Sequence, residues 1–278
     1  MLREITLGQY YNAKSAIHSL DPRVKLLGTF FYIASLFIVD GLAGYAMVAL
    51  IFLGIVKISK VPLKYIMRGL KAIIFILVIT AICNMFFFEG ENIIMKWHFI
   101  SITKEGLEHA VCMAIRLVLL IVGTSVLTLT TTSTDLTDGL EKSLGFLKKI
   151  KVPVSEIALM MSIALRFIPI LVEETNKIMK AQISRGADFE SGNIFQRIKS
   201  YIPIIVPLFV SAFRRADDLS MAMESRCYQP GVERSKMYPL HYSKNDKVAY
   251  GIIVCVFALI AGIKIVCKVN GMESFWLL

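Results

Sequence analysis

The sequence predicts an all-α membrane protein with about five transmembrane helices and a cytoplasmic arm of one short and two long amphipathic helices. Three observations predict it. Of the 278 residues, 56% are hydrophobic and only 19% charged, against roughly 25% charged in an ordinary soluble domain. Mean hydropathy is +0.64, which excludes a disordered chain and argues against a soluble enzyme. The remaining charge, 31 Lys+Arg and 21 Asp+Glu, is too much for a pure membrane bundle, so it must collect in parts of the chain outside the bilayer.

The apolar runs come first. Val24–Val39 begins behind Asp21-Pro22, an acceptor that caps a helix and a proline that suits its first turn. Asp40-Gly41 turns the chain into a second run, Leu42–Val56. Both runs are short of the roughly twenty residues of a span, but Lys25 and Lys57 extend them by snorkelling. The basic stretch Lys57, Lys60, Lys64, Arg68 and Lys71 separates this run from the third, Ala72–Phe88. An acidic segment, Glu89–His109, follows with four Glu against two Lys. The fourth run is Leu117–Leu129 and the fifth Val248–Val266.

Basic loops face the cytoplasm. The stretch from Lys57 to Lys71 therefore goes inside, and Glu89–His109, with Trp97 as an interface anchor, goes outside. The N-terminus and residues 132–247 are then cytoplasmic, with the C-terminus outside. Residues 132–247 hold 17 of the 31 basic and 13 of the 21 acidic side chains. Three regions result: 1–131, a tail and four spans; 132–247, the arm; and 248–278, the last span and its tail.

The arm opens with a shorter helix over Thr132–Lys151, with Ser133 or Thr134 as its cap and Asp135 and Asp138 near its positive end. Two long helices of about thirty residues follow. Ile157, Met160, Met161, Ala164, Leu165 and Ile168 open the apolar stripe of the first. Leu208, Phe209, Ala212, Ala216 and Leu219 belong to that of the second. Ala212, Ala216 and Ser220 lie four apart, a small-residue line that permits a close helix crossing. Pro169, Pro203 and Pro207 are expected to bend these helices.

The two long helices end alike. One closes on Ser184-Arg185-Gly186, the other on Ser225-Arg226-Cys227. Upstream stand Phe167-Ile168-Pro169-Ile170 and Tyr201-Ile202-Pro203-Ile204. Proline and arginine are 16 residues apart in the first copy and 23 in the second, a difference of two helical turns that preserves orientation. An arginine at a rigid helix end presents a planar fork to a partner's carboxylate or carbonyls. The plain alternative is that each arginine caps its own helix or meets solvent.

Other chemistry is thin. No G-x-x-x-x-G-K-[ST] sequence is present, so the chain has no phosphate-cradling loop of its own. His18, His98, His109 and His241 are scattered, with no catalytic or metal-ligating grouping. The five cysteines have no C-x-x-C spacing and read as reduced, small apolar residues. The basic excess comes without a zinc pattern or aromatic-interleaved patch, so nucleic acid is not an expected partner. The first twenty residues are polar, and no cleaved signal peptide is expected. Arg116 is expected to snorkel at the outer end of the fourth span, and Asn84 to bond across helices in the third. Gly28, Gly44, Gly54 and Gly123 read as close-packing points.

The chain resembles the EcfT family, the transmembrane coupling subunits of energy-coupling factor (ECF) transporters, in the wider CbiQ/EcfT group. The residues that carry the resemblance are Gly8-Gln9-Tyr10, Ser15, His18 to Leu27 with Asp21-Pro22-Arg23, the helix Thr132–Glu141, and the paired Ser-Arg-x ends. It spans about Ile5 to Val266. The resemblance implies that two cytoplasmic ABC-type ATPases dock on Ser184, Arg185 and Gly186 and on Ser225, Arg226 and Cys227, each arginine entering a groove on one ATPase. It implies no cofactor on the chain itself, with ATP-Mg on those partners. A substrate-binding S component would lie against the coupling helices, where Met160, Met161, Ala164, Ile168, Leu208, Ala212, Ala216 and Ser220 face it or the helix crossing. The family pattern often has Ala before the arginine and Gly after it; here Ser precedes both and Cys227 replaces the second Gly. The tail before Asp21 resembles the type of module shared by several S components. Membrane lipid completes the partners. The alternatives are a self-contained secondary transporter, which would need ionisable groups at mid-bilayer, and an integral membrane enzyme.

Overall fold

The computed structural model describes residues 10–39, 41–87, 93–97, 100–189, 193–232, 237 and 239–269. In chain order its elements are α1 (Pro22–Ile38), α2 (Leu42–Ser59), α3 (Leu63–Phe87), strands β1 (Ile93–Trp97) and β2 (Ile100–Thr103), and α4 (Lys104–Thr130). Then come α5 (Ser133–Ser143), a 3-10 helix (Leu144–Ile150), α6 (Val154–Ser184), α7 (Ile194–Glu224) and α8 (Lys244–Val269). Gly8, Gln9 and Asp40 lie outside the described residues, as do the side chains of Trp97 and Cys267. The helical membrane architecture is the predicted one. The departure is the hairpin: part of the acidic segment read as a loop pairs antiparallel, with Lys96 opposite Ser101. The β-branched and aromatic residue types in the two strands favour that pairing.

The described helices run past the apolar stretches that predict them. α3 reaches back through Lys64, Arg68 and Lys71, and α4 begins before Leu117. An apolar run marks where lipid contact is required; the backbone bonds of a helix continue until a cap or breaker ends them.

The chain divides into two compact units: the described residues of Gly8–Gly139 with Leu240–Leu278, and those of Leu140–Pro239. In the first, α4 packs against α1, α2 and α3, and α8 packs against α1. Leu36, Tyr45, Val48, Leu119 and Ile260 form one buried cluster, and Phe52, Ile66, Val126 and Leu129 belong to a second. The outer faces are as apolar as the core, with Phe30, Phe75 and Ile252 well exposed. In water that surface would be an aggregation liability; in a bilayer it is matched to its solvent.

By length and composition, four described helices can cross a membrane: Leu42–Ser59, Gly106–Thr130, Val154–Ser184 and Lys244–Val266. Leu63–Lys71 and Ile73–Asn84, bent by 59° from each other, make a fifth if counted as one span. The protein is therefore membrane-embedded. α1 has 17 residues and falls just short, whereas α6, read from the sequence as part of the arm, is long and apolar enough.

The N-terminal motif residues tie the first unit together. Asp21 caps α1, its Oδ1 accepting the Arg23 amide at 2.9 Å. The Arg23 guanidinium donates to the Leu240 carbonyl at 3.0 Å and lies 4.3 Å from the Tyr242 ring centre. Lys25 Nζ donates to the carbonyls of His18 and Thr130, joining the N-terminal segment to the end of α4. The His18 ring sits between Ser15 Oγ at 2.7 Å and the Tyr11 carbonyl at 2.9 Å. Burial holds the His18 pKa below its ordinary value, opposed by the Tyr11 carbonyl and helped by the Lys25 charge.

Several smaller expectations change. Arg116 does not snorkel free: its Nε donates to Tyr45 Oη at 2.7 Å and its Nη2 reaches the Val39 carbonyl at 3.4 Å. Asn84 bonds the Thr80 carbonyl of its own helix, not a neighbouring one. A Cβ on Gly54 would meet nothing within 4 Å, so Gly54 is not a packing point. Gly123 is one, because a Cβ there would run into the Tyr32 ring, and Gly28 is one against Ile253. The cap of α5 is Thr132, whose Oγ1 accepts the Asp135 amide at 3.1 Å, not Ser133 or Thr134.

Candidate functional site

The second unit is built on α6 and α7, each of 31 residues and each continuing through its prolines as one helix. Their C-termini close with the same hydrogen-bond pattern. At the end of α6, the Gly186 amide bonds the Ile183 carbonyl at 2.9 Å and the Ala187 amide bonds the Gln182 carbonyl at 3.0 Å. At the end of α7, the Cys227 amide bonds the Glu224 carbonyl at 2.8 Å and the Tyr228 amide bonds the Met223 carbonyl at 2.9 Å. Both are Schellman motifs, in which a residue with positive φ follows the cap and turns the chain back on the last carbonyls. Gly186 supplies that residue at φ +85°, and Cys227 supplies it at φ +58°.

Arg185 and Arg226 therefore occupy the same position, the C-cap, of two matched helix ends. Both are exposed. Among the described residues neither guanidinium has a hydrogen-bond or ion-pair partner. Self-capping is thus not what these side chains do: the backbone closes each helix without them. The serines before them are turned inward on their own helices. Ser184 Oγ donates to the Lys180 carbonyl and Ser225 Oγ to the Ala222 carbonyl, both at 3.0 Å. Each end thus offers one free cationic fork on a fixed backbone turn.

Cys227 carries a cost that Gly186 does not, because a side chain in the left-handed region is disfavoured by roughly 1 kcal/mol. Cys227→Gly is expected to stabilise the end of α7 by about that amount. Gly186→Val is expected to destabilise the end of α6 by roughly 1 kcal/mol or more, since a β-branched residue resists positive φ. Hydrogen exchange at the Tyr228 and Ala187 amides measures both, and unchanged exchange in both variants would disprove the assignment.

The two helices pack on each other through a polar clamp that sequence reasoning missed. Glu174 Oε2 accepts from Arg215 Nη2 at 2.6 Å, and Glu174 Oε1 accepts from Ser211 Oγ at 2.5 Å. Ile204, Leu208, Ser211, Arg215, Leu219 and Met223 form the covered line of α7. Of the small-residue stripe, Ala212 is half-buried, but Ala216 and Ser220 are exposed. Ser211, beside Ala212, carries a hydrogen bond between the two helices. Ser211→Leu is expected to loosen the pair by about 1–3 kcal/mol through overpacking and the lost hydrogen bond. Ala216→Leu should stay within about 0.5 kcal/mol of the parent. Limited proteolysis in the second unit ranks the two, and an equal response would place the crossing elsewhere.

The opposite faces are bare. On α6, Met160 is 60% and Met161 42% exposed, with Ala164 and Ile168 open beside them. On α7, Phe195, Ile198, Ile202, Phe209 and Phe213 form a continuous exposed apolar stripe. No group of His, Cys, Asp and Glu fit to hold a metal ion occurs among the described residues.

Residues 13–239 match the family model for CbiQ, described as a cobalt transport protein. Curated relatives described as energy-coupling factor transporter transmembrane protein EcfT match over nearly their whole length. The Clostridium kluyveri protein is 51% identical over 93% of this chain and 97% of its own. The Bacillus subtilis protein is 42% identical over 94% of this chain and 98% of its own. The Lactococcus lactis protein is 44% identical over 95% of this chain and 100% of its own. The bundle, the bare helices and the matched arginine ends are thus those of a chain that belongs to the EcfT family of energy-coupling factor transporter transmembrane proteins, within the CbiQ family.

Proposed function

We propose that this chain is the non-catalytic coupling subunit of an ECF-type importer of a vitamin or other micronutrient. Two ABC-type ATPases, which carry the ATP-Mg, dock on the ends of α6 and α7 from the cytoplasm. Arg185 enters one ATPase and Arg226 the other. A substrate-binding S component lies on the bare apolar faces, with Met160, Met161 and Ile168 on α6 and the phenylalanine stripe on α7. Adaptable methionines suit a surface that receives more than one shape. ATP binding and hydrolysis move the helix ends, and the α6–α7 pair transmits that motion to the S component.

The observation that carries this reading is the pair of identical Schellman ends, each presenting one exposed arginine without a partner among the described residues. The basic loop between α2 and α3 supports an orientation with the N-terminus and residues 132–247 in the cytoplasm. On this reading α6 is cytoplasmic although its composition would let it cross; it packs on α7, whose polar positions include Arg214, Asp217 and Asp218.

The test is purification of the full chain in mild detergent from its native host, followed by mass spectrometry and ATPase measurement. Two ABC-type ATPases and at least one small membrane-embedded binding protein should co-purify. The separated chain should hydrolyse no ATP. Turnover by the chain alone, or absence of ATPases from the complex, would overturn the reading.

A further inference from the structure

Between α1, α2, α4 and α8 lies an apolar cleft in two connected parts. The inner part has a volume of about 140 Å³ and the outer about 270 Å³, and they share Gly28, Tyr32, Phe52, Ile55, Ile252 and Ile253 as walls. The wall on α1 runs from Val24 to Ser35, on α2 from Ile58 back to Val48, and on α8 from Ala249 to Ile260. Each stretch spans about ten residues of helix, roughly 15 Å at 1.5 Å per residue. That is half of a hydrocarbon core of about 30 Å, the depth of one leaflet. Ile252 is 59% exposed, so the cleft is open sideways to the membrane.

The cleft ends at Lys25, which spends two N–H donors on the carbonyls of His18 and Thr130. Beyond it, sharing Ile58 as a wall, is a wide basin of about 820 Å³. Lys14, Lys57, Lys60 and His18 line this basin, and among the described residues no carboxylate does. All three lysines are exposed. A one-leaflet apolar slot thus opens directly into a cationic basin at the end of the bundle where the basic loop begins.

We propose that cleft and basin together hold one anionic phospholipid, an acyl chain in the cleft and the phosphate over Lys14, Lys57 and Lys60. Basic pockets between transmembrane helices on the cytoplasmic side suit anionic headgroups. The slot explains why the occupant is a lipid and not a free anion, and the lysine-only charge of the basin explains why its headgroup is anionic. Gly28 matters to the slot: a Cβ there would come within 3.0 Å of the Ile253 side chain and narrow it. The proposal rests on the membrane-embedded first unit alone and stands or falls separately from the coupling role.

The test uses the full chain, delipidated in mild detergent and titrated with phosphatidylglycerol or phosphatidylcholine of identical chains, with native mass spectrometry as the readout. One phosphatidylglycerol should be retained at a concentration about tenfold or more below that needed for phosphatidylcholine. The combined variant Lys14→Gln, Lys57→Gln and Lys60→Gln should erase that preference without removing residual phosphatidylcholine binding. Ile252→Trp, which fills the cleft from an exposed position, should weaken both lipids. Inorganic phosphate in excess should not displace the lipid. Equal binding of the two lipids by the parent, an unchanged preference in the glutamine variant, undiminished binding in Ile252→Trp, or displacement by phosphate would each overturn the proposal.

Discussion

Replacing Arg185 and Arg226 together by alanine is expected to abolish substrate uptake while leaving the chain inserted, folded and purifiable. The reason is geometric. Each Schellman turn is closed by backbone amides, from Gly186 and Ala187 at one end and Cys227 and Tyr228 at the other. Removing an exposed guanidinium at the C-cap therefore takes away nothing that holds the helix. It removes the one cationic fork that each end offers. An arginine buried at the centre of an interface is typically worth about 2 kcal/mol or more, and about 1.4 kcal/mol is a factor of ten in affinity. Each single alanine should then weaken ATPase association roughly thirtyfold, and the pair should leave no functional complex. The conservative replacements Arg185→Lys and Arg226→Lys separate charge from shape: if the planar fork matters, they recover only part of the activity. Co-purification of ATPases at parental yield together with full uptake in the double alanine variant would disprove docking at these ends.

Much of this site is legible in the sequence because its signals are local. A stripe of apolar residues every three or four positions announces α6 and α7, and Gly after the last turn announces how α6 stops. The repeat of Ser-Arg before a small residue pairs the two ends even where Cys227 breaks the glycine rule. The resemblance to a known family adds the partners, which no periodicity reveals. What is not legible is pairing at a distance. Glu174 and Arg215 stand 41 positions apart, and each reads as an ordinary solvated charge. The small-residue line at Ala212, Ala216 and Ser220 says only that close approach is permitted there. Ser211, next to Ala212, carries a hydrogen bond between the helices that residue size does not reveal. Arg116 and Asn84 show the same limit: residue type says that a polar group in a span needs a partner, and only the fold says that the partners are Tyr45 and Thr80.

Loss of Asp246 should cost the fold heavily. It is 1% exposed, and it joins two helix starts. Ser243 and Asp246 form a reciprocal box at the head of α8: the Asp246 amide bonds Ser243 Oγ at 3.3 Å, and the Ser243 amide bonds Asp246 Oδ2 at 2.7 Å. This is the capping-box arrangement with Asp in place of Glu. The other oxygen, Oδ1, accepts the amide of Asp21 at 2.8 Å, and Asp21 is itself the cap of α1. Two positive helix ends thus converge on two carboxylates, and α1 and α8 pack from that point. Asp246→Ala would strand two backbone N–H groups, one of them buried at the α1 cap, at about 1–3 kcal/mol each. The expected loss is therefore about 2–6 kcal/mol, or roughly 10 °C in the unfolding midpoint of the detergent-solubilised chain. Asp246→Asn keeps one carbonyl acceptor but turns an amide NH₂ toward the other donor, so it should fall between the parent and the alanine variant. Thermal unfolding of the three proteins tests the order. An alanine variant as stable as the parent would mean that the two amide bonds accepted by Asp246 contribute nothing, and that α1 and α8 are held by their apolar faces alone.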